Sequence, residues 1–550
     1  MRPRIFFPLA ALLAATRLAS AQVAPPDAGQ VLNTLRPVAP VAPSEQKLEI
    51  GLPPERPQNP SSGVTIVVSS VVFEGNTVFP SEQLRALVVG ELGKRHDMEG
   101  LRGIARLVGA CYRQNGYPFA RAIVPVQQLK DGVLRIHILE GAYGEVQATG
   151  QAKVTAGSQP FLAPLAHGDL IEATRLERTM LIIDDLPGVS VRPVVSPGKS
   201  VGFGDLAVAV ALEKEQGGEL GVDNEGSRYT GDVRFKGSWY RNSALLFGDR
   251  IAASLLATNQ SLWLGSLDYD RPLGSSGLRG QIGWALNSYE LGKEFASLEA
   301  SGLARVWSAK LSYPLIRSRQ TNLSASFGFQ YKTLHDVYAA SGTTEDKFSR
   351  GLPLALRFDH RDTLAGGGIT YGQLTWTRGN LCLDPTLTAL DDASARKQGD
   401  FNKINLDLAR VQNLPAGFTL YGRYSLQLAD RNLDSSERFG LGGAQGVRAY
   451  PLGEGMGDQG WLGQVELRYD AGIFAPYAFY DVAEADTNYR PWTASVDVTR
   501  HISGAGVGVR TTYQQWSGDV SLAWPITGGD AQADSKQASP RIWVSVSRTF

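Results

Sequence analysis

The eight residues GQVELRYD, at positions 463–470, alternate between polar and apolar side chains. In an extended strand, successive side chains point to opposite faces of the sheet, so this alternation separates two surfaces. The apolar surface consists of Val465, Leu467 and Tyr469, and the polar surface consists of Gln464, Glu466 and Arg468. The stretch therefore predicts a β-strand with an apolar environment on one side and a polar one on the other.

The same alternation of polar and apolar residues continues from residue 215 to residue 550, where we count about sixteen alternating segments separated by Gly, Asp, Asn or Ser. Only a closed barrel satisfies every backbone group within lipid, and its strands show this weak alternating signal without a long apolar run. We therefore expect an all-β transmembrane barrel of about 16 antiparallel strands over residues 215–550. The polar faces, including Gln464, Glu466 and Arg468, are expected to line its lumen.

The chain ends on a strand of the same kind, RIWVSVSRTF at 541–550. By the two-residue period, Ile542, Val544, Val546 and Phe550 fall on one face. A terminal aromatic residue on an alternating strand is the usual ending of a bacterial outer-membrane barrel. Phe550 is therefore predicted to be a C-terminal barrel signature.

The first 21 residues are typical of a secretory signal peptide. Arg2 and Arg4 precede an apolar stretch, and an A-x-A cleavage site ends at Ala21. Because the apolar stretch is too short to span a membrane, we expect it to be removed after export rather than to anchor the chain.

Residues 22–62 form a second, distinct segment. Seven prolines lie between Pro37 and Pro60, which predicts an extended, semi-rigid linker. One short stretch within it, residues 27–35, could form a helix with Val31, Leu32 and Leu35 on one face.

Residues 63–214 have an α+β pattern that predicts two small modules, at 63–141 and 142–214. In the first, apolar periodicities and turn signals give the order β-α-α-β-β. The second is a weaker copy in which one helix is recognisable. The strands FARAIVPVQQ (119–128) and VSVRPVV (189–195) are candidate sheet edges.

The composition argues against several classes of function. Lys plus Arg and Asp plus Glu both number 54, and a nucleic-acid binder would usually carry a basic excess. Cys111 and Cys382 match no metal or redox spacing, and the six histidines are scattered. We find no catalytic constellation either, so we expect no enzyme activity, no metal, no cofactor and no nucleic-acid partner.

This organisation resembles the two-partner secretion transporters, the TpsB family of ShlB, FhaC and HecB haemolysin secretion/activation proteins. The signal peptide, the Pro-rich linker, the two modules, which look like POTRA domains, and the barrel ending in Phe550 together carry the resemblance. It covers essentially the whole mature chain, and its most distinctive stretch is GLGGAQGVRAYPLGEGMGDQGWLGQVELRY.

The resemblance implies a site in that stretch. In this family and in BamA-type relatives, a long loop, here residues 440–461, folds into the barrel and carries a VRG(Y/F) motif. The corresponding residues here are Val447, Arg448, Ala449 and Tyr450, with Ala in the Gly position. The family pairs the Arg with an Asp of an F-x-D strand motif, which corresponds here to Phe479 and Asp481. A planar guanidinium matches a carboxylate well, so Arg448 and Asp481 are expected to anchor the loop.

The resemblance also implies the function. The chain would be an outer-membrane transporter whose periplasmic POTRA modules bind an unfolded exoprotein and whose barrel conducts it to the surface. Barrel-assembly machinery and outer-membrane lipid are the other implied partners. Residues 27–35 would be the plug helix, although a tether is equally compatible with them. Two alternative functions remain open: a BamA- or TamA-like insertase, which would carry three or five POTRA modules, and a passive porin.

Overall fold

In the computed structural model, the described residues are 25–34, Pro43 and 65–550. The predicted signal peptide, residues 1–21, and most of the predicted linker, residues 22–62, lie outside the described residues. The described part comprises a short helix, two small α/β modules and a closed barrel of sixteen antiparallel strands. No helix within this part is long and apolar enough to cross a membrane.

The first module follows the predicted β-α-α-β-β order, with two additional short strands. A short helix precedes it, and the elements are α1 (Ala28–Thr34), β1 (Ile66–Val67), β2 (Ser70–Glu74), α2 (Ser81–Val88), β3 (Arg95–His96), α3 (Met98–Gln114), β4 (Arg121–Ile123) and β5 (Val133–Leu139). The main sheet has the order β2-β5-β4. The helices α2 and α3 bury Leu84, Ile104 and Val108 against it.

The edge strand β4 is much shorter than the predicted strand over 119–128. It begins at Arg121 and ends at Ile123, close to Pro125. Proline has no backbone N–H and cannot donate to a ladder, which explains why the pairing with β5 stops there. The strand nevertheless lies at the edge of its sheet, as expected.

The second module repeats the order with two helices rather than the one recognised in the sequence. Its elements are β6 (Ala142–Thr149), α4 (Ala152–Ser158), α5 (Ala173–Asp184), β7 (Val189–Pro197) and β8 (Phe203–Leu212). The sheet order is β6-β8-β7, so β7 is an edge strand. The helix α4 escaped prediction because it is short and has no side-chain cap.

The barrel confirms the predicted fold class and strand number. Its strands are β9 (Gln216–Asp223), β10 (Arg234–Asn242), β11 (Arg250–Thr258), β12 (Trp263–Pro272), β13 (Arg279–Glu290), β14 (Ala300–Arg317), β15 (Thr321–Tyr338), β16 (Thr343–Asp362), β17 (Gly368–Leu383), β18 (Gly399–Asn413), β19 (Phe418–Ala429), β20 (Gln459–Tyr469), β21 (Phe474–Asp486), β22 (Thr499–Tyr513), β23 (Trp516–Thr527) and β24 (Arg541–Thr549). A helix, α6 (Pro385–Asp392), lies between β17 and β18. Pairing of β24 with β9 closes the barrel.

Successive strands of the barrel run in opposite directions, which defines its two ends. We call the end at which β9 begins, directly after the second module, the module end, and we call the opposite end the far end. The connection between β19 and β20, residues 430–458, begins at the far end and folds into the lumen; we call it the inner loop. The predicted limits of this loop were 440–461, but β20 already begins at Gln459.

The helix α1 also lies inside the barrel. Ala28 and Val31 are buried against inward residues of β13 and β14, among them Tyr289 and Ala300. The backbone N–H of Ala28 donates to Oδ1 of Asp336 on β15 at 2.8 Å. Because Tyr289 and Asp336 lie near the far ends of their strands, α1 occupies the far half of the lumen.

Candidate functional site

The centre of the inner loop is held by Arg448. Its Nε and Nη2 atoms donate to the two carboxylate oxygens of Asp481 on β21, at 2.8 and 2.7 Å. The backbone N–H of Arg448 also donates to Asp481, at 3.1 Å. Arg448 is 4% exposed and Asp481 0%, so this two-pronged ion pair is sheltered from water. The structure thus brings together the two residues that the family motif pairs.

Arg448 has a second carboxylate partner that the sequence did not pair with it. Its Nη1 atom donates to Oε1 of Glu466 on β20 at 2.6 Å. The other oxygen of Glu466 accepts from Arg468 and from Arg510 on β22. Glu466 therefore joins three guanidinium groups, and the pair becomes a network in which no carboxylate is left without a cation.

The structure places the predicted polar face of β20 toward the lumen. Gln464 and Glu466 are buried there, whereas Val465 and Leu467 are 50% and 45% exposed on the outer surface. Gln464 donates its side-chain amide to the carbonyl of Gly446 in the inner loop at 2.9 Å. The strand thus supplies hydrogen bonds to the loop backbone as well as the charge of Glu466.

Phe479 supports the guanidinium from one face. The carbon between the guanidinium nitrogens of Arg448 lies 3.5 Å from the ring centroid. A cation over an aromatic face is attracted by the negative face of the ring, and the planar group is also kept in the plane that suits Asp481. The two residues of the strand motif therefore act on the same side chain.

Ala449 occupies the position that is Gly in the motif described above, and the structure shows what accommodates its side chain. Ala449 has no positive φ, so its backbone does not need glycine. Its methyl group faces Gly504 on β22, and a Cβ built at Gly504 would lie only 2.5 Å from the Cβ of Ala449. The glycine that the tight approach requires is therefore on the barrel wall instead of in the loop.

The remaining motif residues fix the two sides of the loop tip. Val447 is fully buried in the apolar cluster that also contains Ile502 and Phe479. The hydroxyl of Tyr450 lies 2.7 Å from the carbonyl of Thr527 and donates toward it. The whole tetrapeptide is thus packed against the wall formed by β20–β24.

Two further buried ion pairs hold the inner loop and were not foreseen. Glu454 is fully buried, accepts from Arg500 at 2.7 Å and also receives two backbone N–H groups near residue 532. Asp458, equally buried, accepts from Arg438 at 3.0 Å. Arg500 therefore ties the loop to β22, whereas Arg438 and Asp458, which both belong to the loop, brace it internally.

The helix α1 is attached both to the barrel and to the inner loop. Asp27 accepts from Nζ of Lys347 on β16 at 2.7 Å and from the hydroxyl of Ser435 in the loop. Asn33 donates to the carbonyl of Arg438 at 2.6 Å. Helix and loop thus form one body inside the lumen.

The second module also contacts the module end of the barrel. Asp185, which follows α5, accepts two hydrogen bonds of 2.6 Å from Arg317 at the end of β14. Arg178 of α5 donates to the carbonyl of Pro314 at 2.7 Å. These contacts place the module directly at the barrel entrance.

Phe550 lies on the outer surface at the junction of the first and last strands. Its backbone N–H donates to the carbonyl of Gly218 at 3.0 Å, and its side chain is 51% exposed. A Cβ at Gly218 would meet the Phe550 ring at 2.5 Å, so glycine leaves room for it. Among the described residues, no group of three or more potential ligands could hold a metal ion.

Comparison with known proteins gives a consistent set of relatives. Residues 202–511 match the family described as haemolysin secretion/activation protein ShlB/FhaC/HecB, and residues 66–141 match the ShlB-type POTRA domain. The heme/hemopexin transporter protein HuxB of Haemophilus influenzae (strain 86-028NP) is 27% identical over 87% of this chain and 86% of its own length. The outer membrane transporter CdiB of Dickeya dadantii (strain 3937) is 24% identical over 86% of this chain and 85% of its own length.

A solved structure shares the fold over a similar range. The structure of CdiB from Escherichia coli superposes with a TM-score of 0.69 at 20% identity, covering 89% of this chain and 91% of that one. The likeness therefore includes the modules as well as the barrel.

Proposed function

The chain belongs to the ShlB/FhaC/HecB family of haemolysin secretion/activation proteins, and from this premise we propose how its described parts cooperate in secretion. It is an outer-membrane transporter of the two-partner secretion type, with its POTRA modules in the periplasm. The module end of the barrel is therefore the periplasmic end, and the far end is the extracellular one. Because the chain belongs to this family, transport of an exoprotein is favoured over the insertase and porin alternatives.

We propose that an unfolded exoprotein first binds the POTRA modules by adding a strand to the edges β4 and β7. Each of these strands has one unpaired side in its sheet. Main-chain hydrogen bonds at such an edge recognise an extended peptide with little dependence on its sequence. The contact of Asp185 with Arg317 holds the second edge next to the barrel entrance.

The observation that carries the proposal is the shared body of α1 and the inner loop in the lumen. A porin needs an open lumen, whereas this lumen holds two segments that are fixed by ion pairs at Asp27 and Arg448. We propose that α1 is the plug of the resting state and that the inner loop, anchored by Arg448 and Asp481, shapes the path when the plug leaves. The transporter would act without catalysis of its own.

Lipid and the assembly machinery complete the proposed partners. Outward residues such as Phe327, Trp307 and Leu354 expose apolar side chains that fit a lipid surface. We propose that the barrel-assembly machinery inserts this barrel into the outer membrane.

The cargo is proposed only as a class, a large exoprotein. The printed names of the relatives differ, since HuxB is named for heme and hemopexin and CdiB is not. The experiment that tests the function is to delete the gene and compare culture supernatants by mass spectrometry. One large exoprotein should disappear and return with the wild-type gene; unchanged supernatants would contradict export.

A further inference from the structure

The outer wall of the barrel carries a basic patch toward the far end of β14, β16 and β17. Outward and lumenal side chains alternate along each strand. The outward residues in the middle of these three strands form an apolar band that includes Trp307, Leu354 and Trp376. Beyond this band, toward the far end, the first charged outward residues of the three strands are all exposed arginines: Arg305, Arg350 and Arg378.

The strand pairings place the three arginines close to one another. Arg305 on β14 pairs with Thr333 on β15. The next outward residue of β15, Tyr331, pairs with Arg350 on β16. Arg350 and Arg378 are diagonal neighbours on β16 and β17, at a backbone separation of about 7–8 Å. The three side chains therefore form one patch, which we call the arginine border.

The guanidinium groups of the arginine border retain unused hydrogen-bond donors. Arg350 lies 6.0 and 5.9 Å from the centroids of two aromatic rings on β15 and β16, which orient it without neutralising its charge. Within the part of the chain that the structure describes, neither Arg305 nor Arg350 forms an ion pair. Arg378 lies 3.4 Å from Asp400, but the two side chains are 61% and 62% exposed, so this ion pair is weak.

The wall of β21 and β22 has the opposite charge at the corresponding place. On β21, the apolar outward residue Val482 is followed toward the far end by Glu484. The residue paired with Glu484 on β22 is His501, whose Nδ1 lies 3.4 Å from its carboxylate. A carboxylate at this border would repel an anion, so only the wall of β14–β17 suits a negatively charged ligand.

We propose that the arginine border binds the phosphate groups of the glycolipid that forms the outer leaflet of the membrane. Because the far end of the barrel is extracellular, the border lies at the level of the headgroups of this leaflet. A guanidinium can bind a phosphate through two parallel hydrogen bonds. The apolar band directly below the border suits the acyl chains of the same lipid, which a free phosphate does not have. Three neighbouring cations can hold a headgroup that carries more than one phosphate.

The test is a titration of the purified full-length protein in detergent with bis-phosphorylated lipid A. Bound lipid is counted by native mass spectrometry, after heat-modifiable migration has shown that the barrel is folded. The test variant carries Arg305→Gln, Arg350→Gln and Arg378→Gln. These side chains are exposed on the outer surface, so their replacement leaves the lumen and the strand pairings unchanged.

A matched control variant removes the same charge from the outer surface at the module end. It carries Arg241→Gln, Arg271→Gln and Arg548→Gln, which replace exposed outward arginines of β10, β12 and β24. One strand intervenes between each of these strands and the next, so the control arginines do not form a patch of direct neighbours.

We expect the test variant to bind lipid A about tenfold more weakly than the wild type, because three exposed charge contacts of modest strength are lost together. The control variant should bind it like the wild type. Lipid A that lacks both phosphates should bind equally weakly to all three proteins. Equal losses in the two variants, or equal binding of the two forms of lipid A, would overturn the proposal. Displacement of lipid A by inorganic phosphate at the same phosphate concentration would contradict a lipid site and indicate a site for the free anion.

Discussion

The indole N–H of Trp543 donates a 2.7 Å hydrogen bond to the backbone carbonyl of Arg448. Trp543 lies on β24, the last strand, so the tip of the inner loop is tied to the strand that closes the barrel. The neighbours Ile542 and Val544 bind Asn224, whose side chain continues the pairing beyond β9. One short segment of β24 therefore holds both the loop and the barrel closure.

Trp543→Phe should loosen the loop while leaving the barrel intact. The change removes only the N–H donor and leaves the Arg448 carbonyl unsatisfied, at a cost of about 1–3 kcal/mol. In a protein that carries Cys111→Ser and Cys382→Ser, a cysteine placed at Gln445 in the loop should then react faster with a maleimide when Trp543 is replaced than when it is retained. Trp516→Phe, on the exposed outer surface, is the control. Equal labelling in all three proteins would show that the bond does not hold the loop.

Arg448→Lys should lose most of the effect of the anchor although the charge is kept. A lysine cannot donate to both oxygens of Asp481 and to Glu466 in one plane. Loss of a buried partner costs about 3–5 kcal/mol, so we expect secretion to fall strongly for Arg448→Ala and nearly as far for Arg448→Lys. The measurement is exoprotein in the supernatant at equal barrel content, judged by heat-modifiable migration.

Reversing the pair, with Arg448→Asp and Asp481→Arg together, should recover only part of the secretion lost by either change. Glu466 remains in place and would then face the carboxylate introduced at position 448. No recovery at all would remove the support for the ion pair, and full recovery would show that Glu466 contributes little.

Gly504→Ala should displace the loop tip, because the new methyl group would lie 2.5 Å from the Cβ of Ala449. Overpacking of this kind costs about 1–3 kcal/mol. The double variant Ala449→Gly, Gly504→Ala should recover much of the loss in secretion, since the glycine merely changes sides. The recovery should stop short of complete, because the carbonyl of Trp524 also lies 3.1 Å from the new Cβ. Equal defects in the single and double variants would contradict this account.

The two-residue period of GQVELRYD was sufficient to predict which side of β20 faces the lumen. It could not predict that Glu466 binds Arg448, because that contact depends on how deeply the inner loop enters the barrel. A shift of one residue in strand register would also have turned Glu466 outward. Local alternation therefore predicts which residues form the inner wall of the barrel, but it does not predict how a loop packs against that wall.

The contact between Asp27 and Lys347 shows the same limit over a longer distance. The two residues are 320 positions apart, and the helix between residues 28 and 34 is too short to be recognised with certainty from periodicity. The helix is buried because the barrel surrounds it, and the sequence of the helix carries no information about those contacts. The strand number, in contrast, follows from a pattern that repeats in every segment.

Glu140, just after β5 in the first POTRA module, should make that module less stable in acid. Burial alone would raise its pKa, but hydrogen bonds from Thr77, Val78 and Tyr112 outweigh burial and hold the pKa below its ordinary value of 4.5. As the pH falls below about 4.5, Glu140 takes up a proton in the unfolded chain before it does so in the folded module. The stabilisation that Glu140 provides is therefore lost as the pH falls further, through the lower pKa of the folded module. Above that range it is fully present.

The check is urea unfolding of residues 63–214 at pH 7 and at pH 4, for the wild type and Glu140→Gln. The variant should be less stable at pH 7 by about 1–3 kcal/mol, because an amide nitrogen cannot accept the bonds that the carboxylate accepts. The difference between the two proteins should shrink at pH 4. A difference that is independent of pH would show that the charge of Glu140 is not responsible.

Lys347→Met should release α1 from the lumen more often. The change leaves the partly buried carboxylate of Asp27 without its cation, at a cost below the roughly 3–5 kcal/mol of a fully buried pair. In planar bilayers we expect more frequent openings than in the wild type, approaching those of a chain that lacks residues 22–45. Lys310→Met is the control, because Lys310 is an exposed lysine of β14 that lines the lumenal cavity beside α1. If both lysine variants open more often to the same degree, the effect reflects the loss of a lumenal charge and not the release of α1. If neither variant differs from the wild type while the deletion opens the pore, the apolar face of α1 and its contacts with the inner loop keep the helix in the lumen, and the ion pair with Lys347 does not.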